Sequence, residues 1–440
     1  MDILEQPEAQ ALLDDATVSA RAVGDGGDQL QAFIARYLPR FAREEQRQHA
    51  RTILRGKLTG LQRKTTEPVA TQAGEKRRPL QLFVGAGGWD DQAVLGELHQ
   101  HVREELGDAD AVFILDPSSF PKKGTDSCGV ARQWCGRLGK VDNCQVGVFL
   151  AYATPRGCAL LDSRLYLTED WAVDPARRAA TYVPDSVNFQ ERWRIGLDLL
   201  DRARATLPGS WLVGDDELGR CSAFRAELRL RRLHYVLDVP CNTLVRDPSE
   251  RRPRARPGGK PRLPPFERAD QWVARQPKGR WRKVTVRDGE KGPLEVMVLL
   301  ATVQTKDEDG CVGPRERLMV IRTREDKPQT WYTLSNAREA QRAVLTRVHG
   351  FRHKIEEQFA QGNGEVGLDH YEVRSWVGWH HHMTLTLLAL WFLQTERLRL
   401  GKKNSGRDRG PSTGNLYRTV AEAGAQRRGN RPNRQPSAAA

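Results

Sequence analysis

From Gln29 to Leu61 apolar residues recur at the spacing of one helix face. Phe33, Ile34, Tyr37, Leu38 and Phe41 come first, then Ile53, Leu54, Leu58 and Leu61, with Arg and Lys filling much of the opposite face. A second helix is predicted from Trp89 to Leu106, after the Gly87-Gly88 pair. The period then changes. Ala111–Leu115, Gln145–Tyr152 and Ala159–Leu167 read as strands, the last two separated by a Thr-Pro-Arg-Gly turn. Phe189–Thr206 returns to helical spacing, Trp211–Val213 is a short strand, Glu217–Arg231 is helical, and His234–Val239 is a strand again.

Three strands, a helix, a strand, a helix and a strand is the order of an RNase H-like α/β sheet. There the first strand lies centrally beside the fourth, joined by a right-handed crossover, so residues at their ends approach each other. Beyond it, Arg251–Pro265 is a Pro/Gly/Arg linker unable to continue a helix or a central strand. Trp281–Val286, Leu294–Val303, Arg317–Thr323 and Thr330–Thr333 then predict an all-β insertion. Helical pattern resumes at Asn336 and runs past Glu357, and a more apolar helix extends from His380 to about Leu400.

The expected organisation is a lead-in over 1–24 and a helical DNA-binding region over 25–107. A mixed sheet flanked by helices starts over 108–245, with the linker and β insertion at 246–335. Helices completing the core span 336–400, and a polar basic tail follows at 401–440.

Charge narrows the class of partner. The 440 residues include 70 Lys+Arg against 56 Asp+Glu, a net charge of +14, which favours a polyanion such as nucleic acid. The seven cysteines are odd in number and form no C-x-x-C pair, which argues against a zinc ribbon or a disulfide framework. The acidic start MDILEQPEAQALLDD has no signal-peptide character, and the longest apolar run, Met383 to Leu393, is too short for a bilayer. A cytoplasmic, nucleoid-associated protein is expected.

Two candidate carboxylates sit where apolar strands end: Asp116 after AVFIL, and Asp215 after Trp-Leu-Val-Gly. Glu356 lies one helical turn after Arg352 in Arg-His-Lys-Ile-Glu-Glu-Gln-Phe. Acidic side chains brought together on rigid elements suit hard divalent cations, as two-metal phosphodiester chemistry requires. Lys122, Lys123 and Gly124 follow the first strand as a basic turn, open to phosphate contact or to plain solvent exposure. Arg132, Gln133, Lys140 and Asn143 surround Trp134, a mixture that suits DNA, although Trp134 could equally pack under the loop. His380-His381-His382 invites a metal, but adjacent helical residues diverge, so packing or DNA-facing roles are favoured. Glu365, Asp369, Glu372 and Arg374 read as pairing at a helix junction.

Four segments together resemble the bacterial insertion-sequence transposases of the DDE superfamily, in the group with a β-strand insertion between the second Asp and the Glu. They are ILDPSSFPKKGTDSCGVARQWCGRLGKVDNCQVGVFLAY from Ile114, WLVGDDELG from Trp211, HKIEEQFAQGNGEVGLDHYEVRSWVGW from His353 and HHHMTLTLLALWFL from His380. The resemblance implies a metal-dependent DNA endonuclease and strand transferase, with Asp116, Asp215 and Glu356 holding two Mg²⁺ or Mn²⁺ ions. It implies Arg352 as a DNA contact, terminal inverted repeats and target DNA as partners, and a homodimer in the synaptic complex. Asp215 is preferred to Asp216 by spacing, although Leu218-Gly219 stands where the family has Tyr-Gly. Of the related Tyr-Arg-Glu-Lys signature, Arg352 and Glu356 match, while His349 and Asn363 replace the Tyr and Lys. A DNA-binding protein that no longer cuts, or a structure-specific nuclease of the same fold, are the alternatives.

Overall fold

The computed structural model describes residues 26–250, 263–289 and 292–401. The expected lead-in, nearly all of the basic tail and most of the Arg251–Pro265 linker lie outside the described residues.

The N-terminal region forms helices α1 (Gly26–Tyr37), α2 (Glu44–Lys57), α3 (Thr66–Ala73), α4 (Arg77–Gly85) and α5 (Asp91–Leu106). The helical pattern predicted from Gln29 to Leu61 is thus two helices. Pro39 lies in a tight turn, Leu38–Arg40, and extended Arg43 restarts the chain at Glu44. Helix α5 begins two residues later than predicted because Asp90 caps it, its carboxylate accepting from the Gln92 and Ala93 amides at 2.9 and 3.2 Å. The sequence reading missed α3 and α4, which are short and bury few apolar residues each.

The sheet begins with β1 (Val112–Pro121), β2 (Ala131–Cys135), β3 (Lys140–Thr154) and β4 (Gly157–Leu165). Short helices α6 (Glu169–Val173) and α7 (Pro175–Ala180) lead to α8 (Arg192–Arg204). Then come β5 (Trp211–Gly214), α9 (Asp216–Arg220), α10 (Ser222–Leu230) and β6 (His234–Val239). Strand β3 is antiparallel to β1 on one edge; its other edge carries β2 at one end and β4 at the other. Strands β1, β5 and β6 are parallel neighbours. The order β4-β3-β1-β5-β6, with only β3 reversed, is the RNase H-like arrangement. Helix α8 lies so close to β1 that a Cβ on Gly196 would fall 2.2 Å from Leu115 Cδ2. The helix expected over Glu217–Arg231 is broken at Cys221, whose sulfur accepts from the Phe224 amide and starts α10.

The inserted segment continues the same sheet. Its strands are β7 (Leu244–Arg246), β8 (Glu267–Arg268), β9 (Arg282–Gly289), β10 (Gly292–Lys306), β11 (Val312–Thr323) and β12 (Thr330–Ser335). Strand β12 pairs antiparallel with β6, so the path runs on through β11, β10, β7 and β8 in a 12-stranded sheet. One helix, α11 (Ala269–Ala274), also lies in this segment, where it buries Trp272 among Val245, Leu299, Val303 and Leu318. Glu316 of β11 ties the insertion to the core. It accepts from Arg225 Nε at 3.1 Å and from the Tyr235 hydroxyl, and Thr305 Oγ1 donates to it at 3.2 Å.

The chain closes with α12 (Arg342–Gly350), α13 (His353–Gln361), a π-helical turn at Gly362–Val366, and α14 (Trp376–Gly401). Almost every residue from Trp376 to Leu393 is buried, because α14 packs between β4 and the N-terminal helices. His380, His381 and His382 pack inside this layer. Each meets a backbone carbonyl: Trp376 for His380, Val84 and Trp89 for His381, and Leu368 for His382. Burial holds all three below the ordinary histidine range, so they are neither a metal cluster nor a DNA-facing strip.

Candidate active site

The parallel ladders set the site. Leu115 pairs with Gly214, and Gly214 with Leu237. The next residue on each chain is an aspartate: Asp116, Asp215 and Asp238. Three carboxylates therefore stand in one row at the carboxyl ends of adjacent parallel strands, the usual location for a site on such a sheet. Asp116 does not end its strand as expected. β1 runs on to Pro121 against β3, and Asp116 marks the end of the parallel ladder only.

Asp215 leaves β5 and caps α9, accepting from the Leu218 amide at 3.1 Å. That cap fixes one carboxylate oxygen. Asp216 is exposed and pairs with Arg220 at 3.1 Å, outside the row. Gly219 explains the close seat of α9, since a Cβ there would fall 1.8 Å from the Asp238 carbonyl oxygen. The Gly219 carbonyl also accepts from Arg225, so the buried Glu316 network holds the corner that carries Asp215.

Electrostatics set this row apart. Asp116 is partly exposed but deeply recessed; lost hydration, then the Asp215 charge beside it, push its carboxyl up to about 8. Among the described residues no hydrogen-bond donor relieves it. Asp215 is also raised, chiefly by burial, although the Leu218 amide works against the shift. Glu217, raised by burial, adds charge nearby and pairs with Arg192 at 2.6 Å.

Glu356, on α13, faces the same region but is largely exposed, and Arg352 Nη1 lies 3.5 Å from it. Arg352 Nε is 3.5 Å from Asp238 and makes no hydrogen bond, and His349 Nε2 meets Asp238 at 2.9 Å. Burial would lower the proton affinity of Arg352, but Asp238, Asp116, Glu356 and Asp215 outweigh it and hold the guanidinium charged. Arg352 thus fills the space between the aspartate row and Glu356. The structure brings Asp116 and Asp215 together and leaves Glu356 apart. Among the described residues no three His, Cys, Asp or Glu side chains converge closely enough to hold a metal ion.

The expected DNA contacts divide. Lys123, Arg132, Trp134 and Lys140 are exposed, and Trp134 keeps 57% of its surface in solvent rather than packing under the loop. Lys140 pairs with Asp142 at 2.9 Å. Lys122 is turned inward, its Nζ 3.5 Å above the Tyr371 ring. The acidic cluster near residue 370 disperses to separate partners. Asp369 meets Arg137 at 2.5 Å, Glu372 meets Arg63 at 3.4 Å, and Arg374 meets Asp126 at 3.1 Å.

Sequence reasoning missed Asp238. The signal was present: Ile-Leu-Asp at 114–116 recurs as Val-Leu-Asp at 236–238. Its partner His349 occupies the position where a Tyr was expected, and its ring nitrogen meets the Asp238 carboxylate there.

A family model described as DDE superfamily endonuclease matches residues 36–293. That span includes Asp116, Asp215 and Asp238 and stops short of Glu356. No curated protein matches the chain. Among solved structures, a cryo-EM piggyBac transposase synaptic complex with hairpin DNA is similar with 10% identity and a TM-score of 0.38, covering 89% of this chain and 74% of that one.

Proposed function

This chain belongs to the DDE superfamily endonuclease family, and we propose that within it the protein is a transposase that cleaves and transfers DNA strands at the ends of an insertion sequence. The observation that carries the reading is the juxtaposition of Asp116 and Asp215 at the end of the β1–β5 ladder, with Glu356 across from them and Arg352 between. Two neighbouring carboxylates whose proton affinity is raised chiefly by burial, with no donor to Asp116 among the described residues, are suited to a divalent cation.

Asp116 and Asp215 would hold such ions, Mg²⁺ or Mn²⁺, with Glu356 completing the set. Bound there, they would supply Lewis-acid activation of the attacking oxygen and charge stabilisation at the leaving oxygen. The protein's own groups do the positioning. The α9 cap orients Asp215, and Arg352 neutralises the row until the acidic groups are otherwise engaged. Once displaced from the row, Arg352 is a bidentate donor suited to a strand phosphate. The exposed Arg132, Trp134 and Lys140 offer charge and a stacking surface for DNA. Pairing of two element ends calls for a homodimer within the synaptic complex, acting on terminal inverted repeats and target DNA in the cytoplasm.

The test is cleavage of plasmid DNA carrying the element's ends by the purified full chain, with Mg²⁺ or Mn²⁺ and with chelator. Metal-dependent nicks at the ends, lost in Asp116→Asn and Asp215→Asn, are expected. Equal cleavage by wild type and variants would overturn the reading. Cutting of branched DNA without preference for ends would replace it with a structure-specific nuclease, and binding without cleavage with a DNA-binding role.

A further inference from the structure

The face of the sheet that α12 covers continues beyond the start of that helix. On β10 and β11 the register pairs Val298 with Ile321, Leu300 with Met319, Thr302 with Arg317 and Gln304 with Arg315. Paired residues share a face, so apolar pairs near α12 give way to polar and basic ones beyond it. On the other edge of β10, Arg246 of β7 pairs with Gln304 and extends the same row. Arg282 of β9, opposite Val298, and Arg342, the first residue of α12, stand at the near end of the strip. Burial follows the alternation. Ala301, Val303, Thr305, Glu316 and Leu318 are buried on the reverse face, while Thr302, Gln304, Lys306, Arg315 and Arg317 keep surface in solvent.

The cations of this strip lack counter-charges. Arg246, Arg282, Lys306, Arg315, Arg317 and Arg342 form no ion pair within 4.0 Å among the described residues. The partners they do have are neutral. Arg246 donates to Gln304 Oε1 at 2.9 Å, Arg317 to Thr302 Oγ1 at 3.3 Å, and Arg282 to the Gly279 and Trp281 carbonyls. The Nε atoms of Arg246, Arg317 and Arg342 are buried and meet no acceptor among the described residues. Lost hydration, then the charges of Arg282 and Arg317, pull Arg342 below the usual arginine range, yet a guanidinium stays charged at neutral pH. Nearby acids do not offset this. Asp307 takes the Cys311 amide at 2.7 Å, and Glu308 takes the Ser222 amide at 3.1 Å. Glu339 acts on Arg317 without pairing with it, and Asp309 is exposed in the β10–β11 turn.

The dimensions suit a nucleic-acid backbone. From Thr302 to Lys306 the strand advances roughly 13 Å. One strand of a duplex places roughly four phosphates over that length. The Phe266 ring lies under Arg246 and Lys306, at 4.6 and 5.1 Å, and is not free to stack on a base. Contacts made here are to phosphates, which position DNA without reading its sequence. Met319, Thr333 and Asp238 lie in one row across β11, β12 and β6, and Arg315 is four residues along β11 from that row. Two strand spacings and four residues separate Arg315 from Asp238 by roughly 16 Å, about half a turn of duplex.

We propose that this strip of the insertion binds the phosphate backbone of duplex DNA whatever its sequence, and so engages DNA outside the terminal repeats. The proposal rests on the reading of the chain as a transposase and adds to it a surface for DNA that carries no recognition sequence.

Fluorescence anisotropy of the full chain with labelled duplexes of unrelated sequence, in chelator and across a salt series, tests it. Lys306→Gln and Arg315→Gln alter exposed side chains, so both variants fold. Each is expected to reduce the slope of log affinity against log salt by about 1, and the double variant by about 2. Binding by the double variant should be at least about tenfold weaker, by the same factor on every duplex. Arg324→Gln removes an exposed cation that is already paired with Glu295, and should keep the wild-type slope. A wild-type slope in the double variant, an equal drop in Arg324→Gln, or a loss confined to one sequence would overturn the strip and leave end-specific nicking by wild type intact. Duplex RNA bound more tightly than DNA, and released in the double variant, would overturn DNA as the partner. No duplex binding by wild type at any salt would overturn the transposase reading as well.

Discussion

Asp116 and Asp215 occupy neighbouring strands one residue beyond the Leu115–Gly214 pair, so the charge of Asp215 acts on Asp116 at the end of the β1–β5 ladder. Burial and this neighbour push Asp116 up to about 8. Its unfolded value is near the ordinary ~4. A raised acid binds its proton more tightly when folded, so its stabilisation is complete below about pH 4 and is lost as pH rises through about 8. Without metal, Asp116→Asn should therefore unfold at a higher temperature than wild type at pH 8, by on the order of 5 °C, with the gap closing toward pH 4. Added Mg²⁺ should raise the wild-type transition and leave the variant unmoved. A variant no more stable than wild type at pH 8 would contradict the coupling.

Asp215 and Asp216 are adjacent in sequence but differ in surroundings. Asp215→Asn keeps an α9 cap yet loses the charge, so cleavage should fall by at least about 10³-fold with stability within about 1 kcal/mol. Asp216→Ala removes only an exposed pair with Arg220 and should leave both within about twofold and 0.5 kcal/mol. Parallel nicking assays and urea titrations read both quantities.

Gly219 permits the contact between α9 and β6. Gly219→Ala would place a Cβ against the Asp238 carbonyl and force the helix outward. A loss of about 3 kcal/mol in chemical denaturation is expected, with nicking reduced because Asp215 moves with α9. Wild-type stability in this variant would show that α9 is not held against β6 as described.

Glu316 joins the insertion to the core through Arg225 and Tyr235. Glu316→Ala leaves Arg225 buried without its counter-charge and should cost about 3–5 kcal/mol. Replacing Glu316 and Arg225 together with Leu and Met should recover most of that loss. A single variant as stable as wild type would mean the network does not bind the two parts.

The β2–β3 hairpin presents Arg132 and Lys140 beside Trp134. If it contacts DNA, Arg132→Ala and Lys140→Ala should each reduce the slope of log affinity against log salt by about 1. Trp134→Ala should weaken single-stranded DNA binding by about 1–3 kcal/mol with the salt slope unchanged. Fluorescence anisotropy across a salt series separates these effects, and unchanged affinity in all three variants would remove the hairpin from the interface.

The sequence by itself determined the order of the strands and helices of the core along the chain and the placing of Asp116 and Asp215 after apolar runs. Both are local consequences of chain chemistry: strands alternate or run apolar, and turns carry Gly and Pro. Its preference for Asp215 over Asp216 rests on spacing; in the fold Asp215 caps α9 and Asp216 is exposed. Tertiary structure alone decided the rest. Which strands lie side by side, and in what register, depends on pairing between residues far apart in the chain. Only that register placed Asp238 in line with Asp116 and Asp215 and showed that the inserted strands extend the sheet at β6. The same holds for charge. Arg352 reads as a helical neighbour of Glu356, but packing sets it against Asp238 as well. Lys57 reads as one of many surface lysines until the fold closes α14 over it and removes its water. Hydration and proximity belong to the folded chain, and they convert a list of acids and bases into a site.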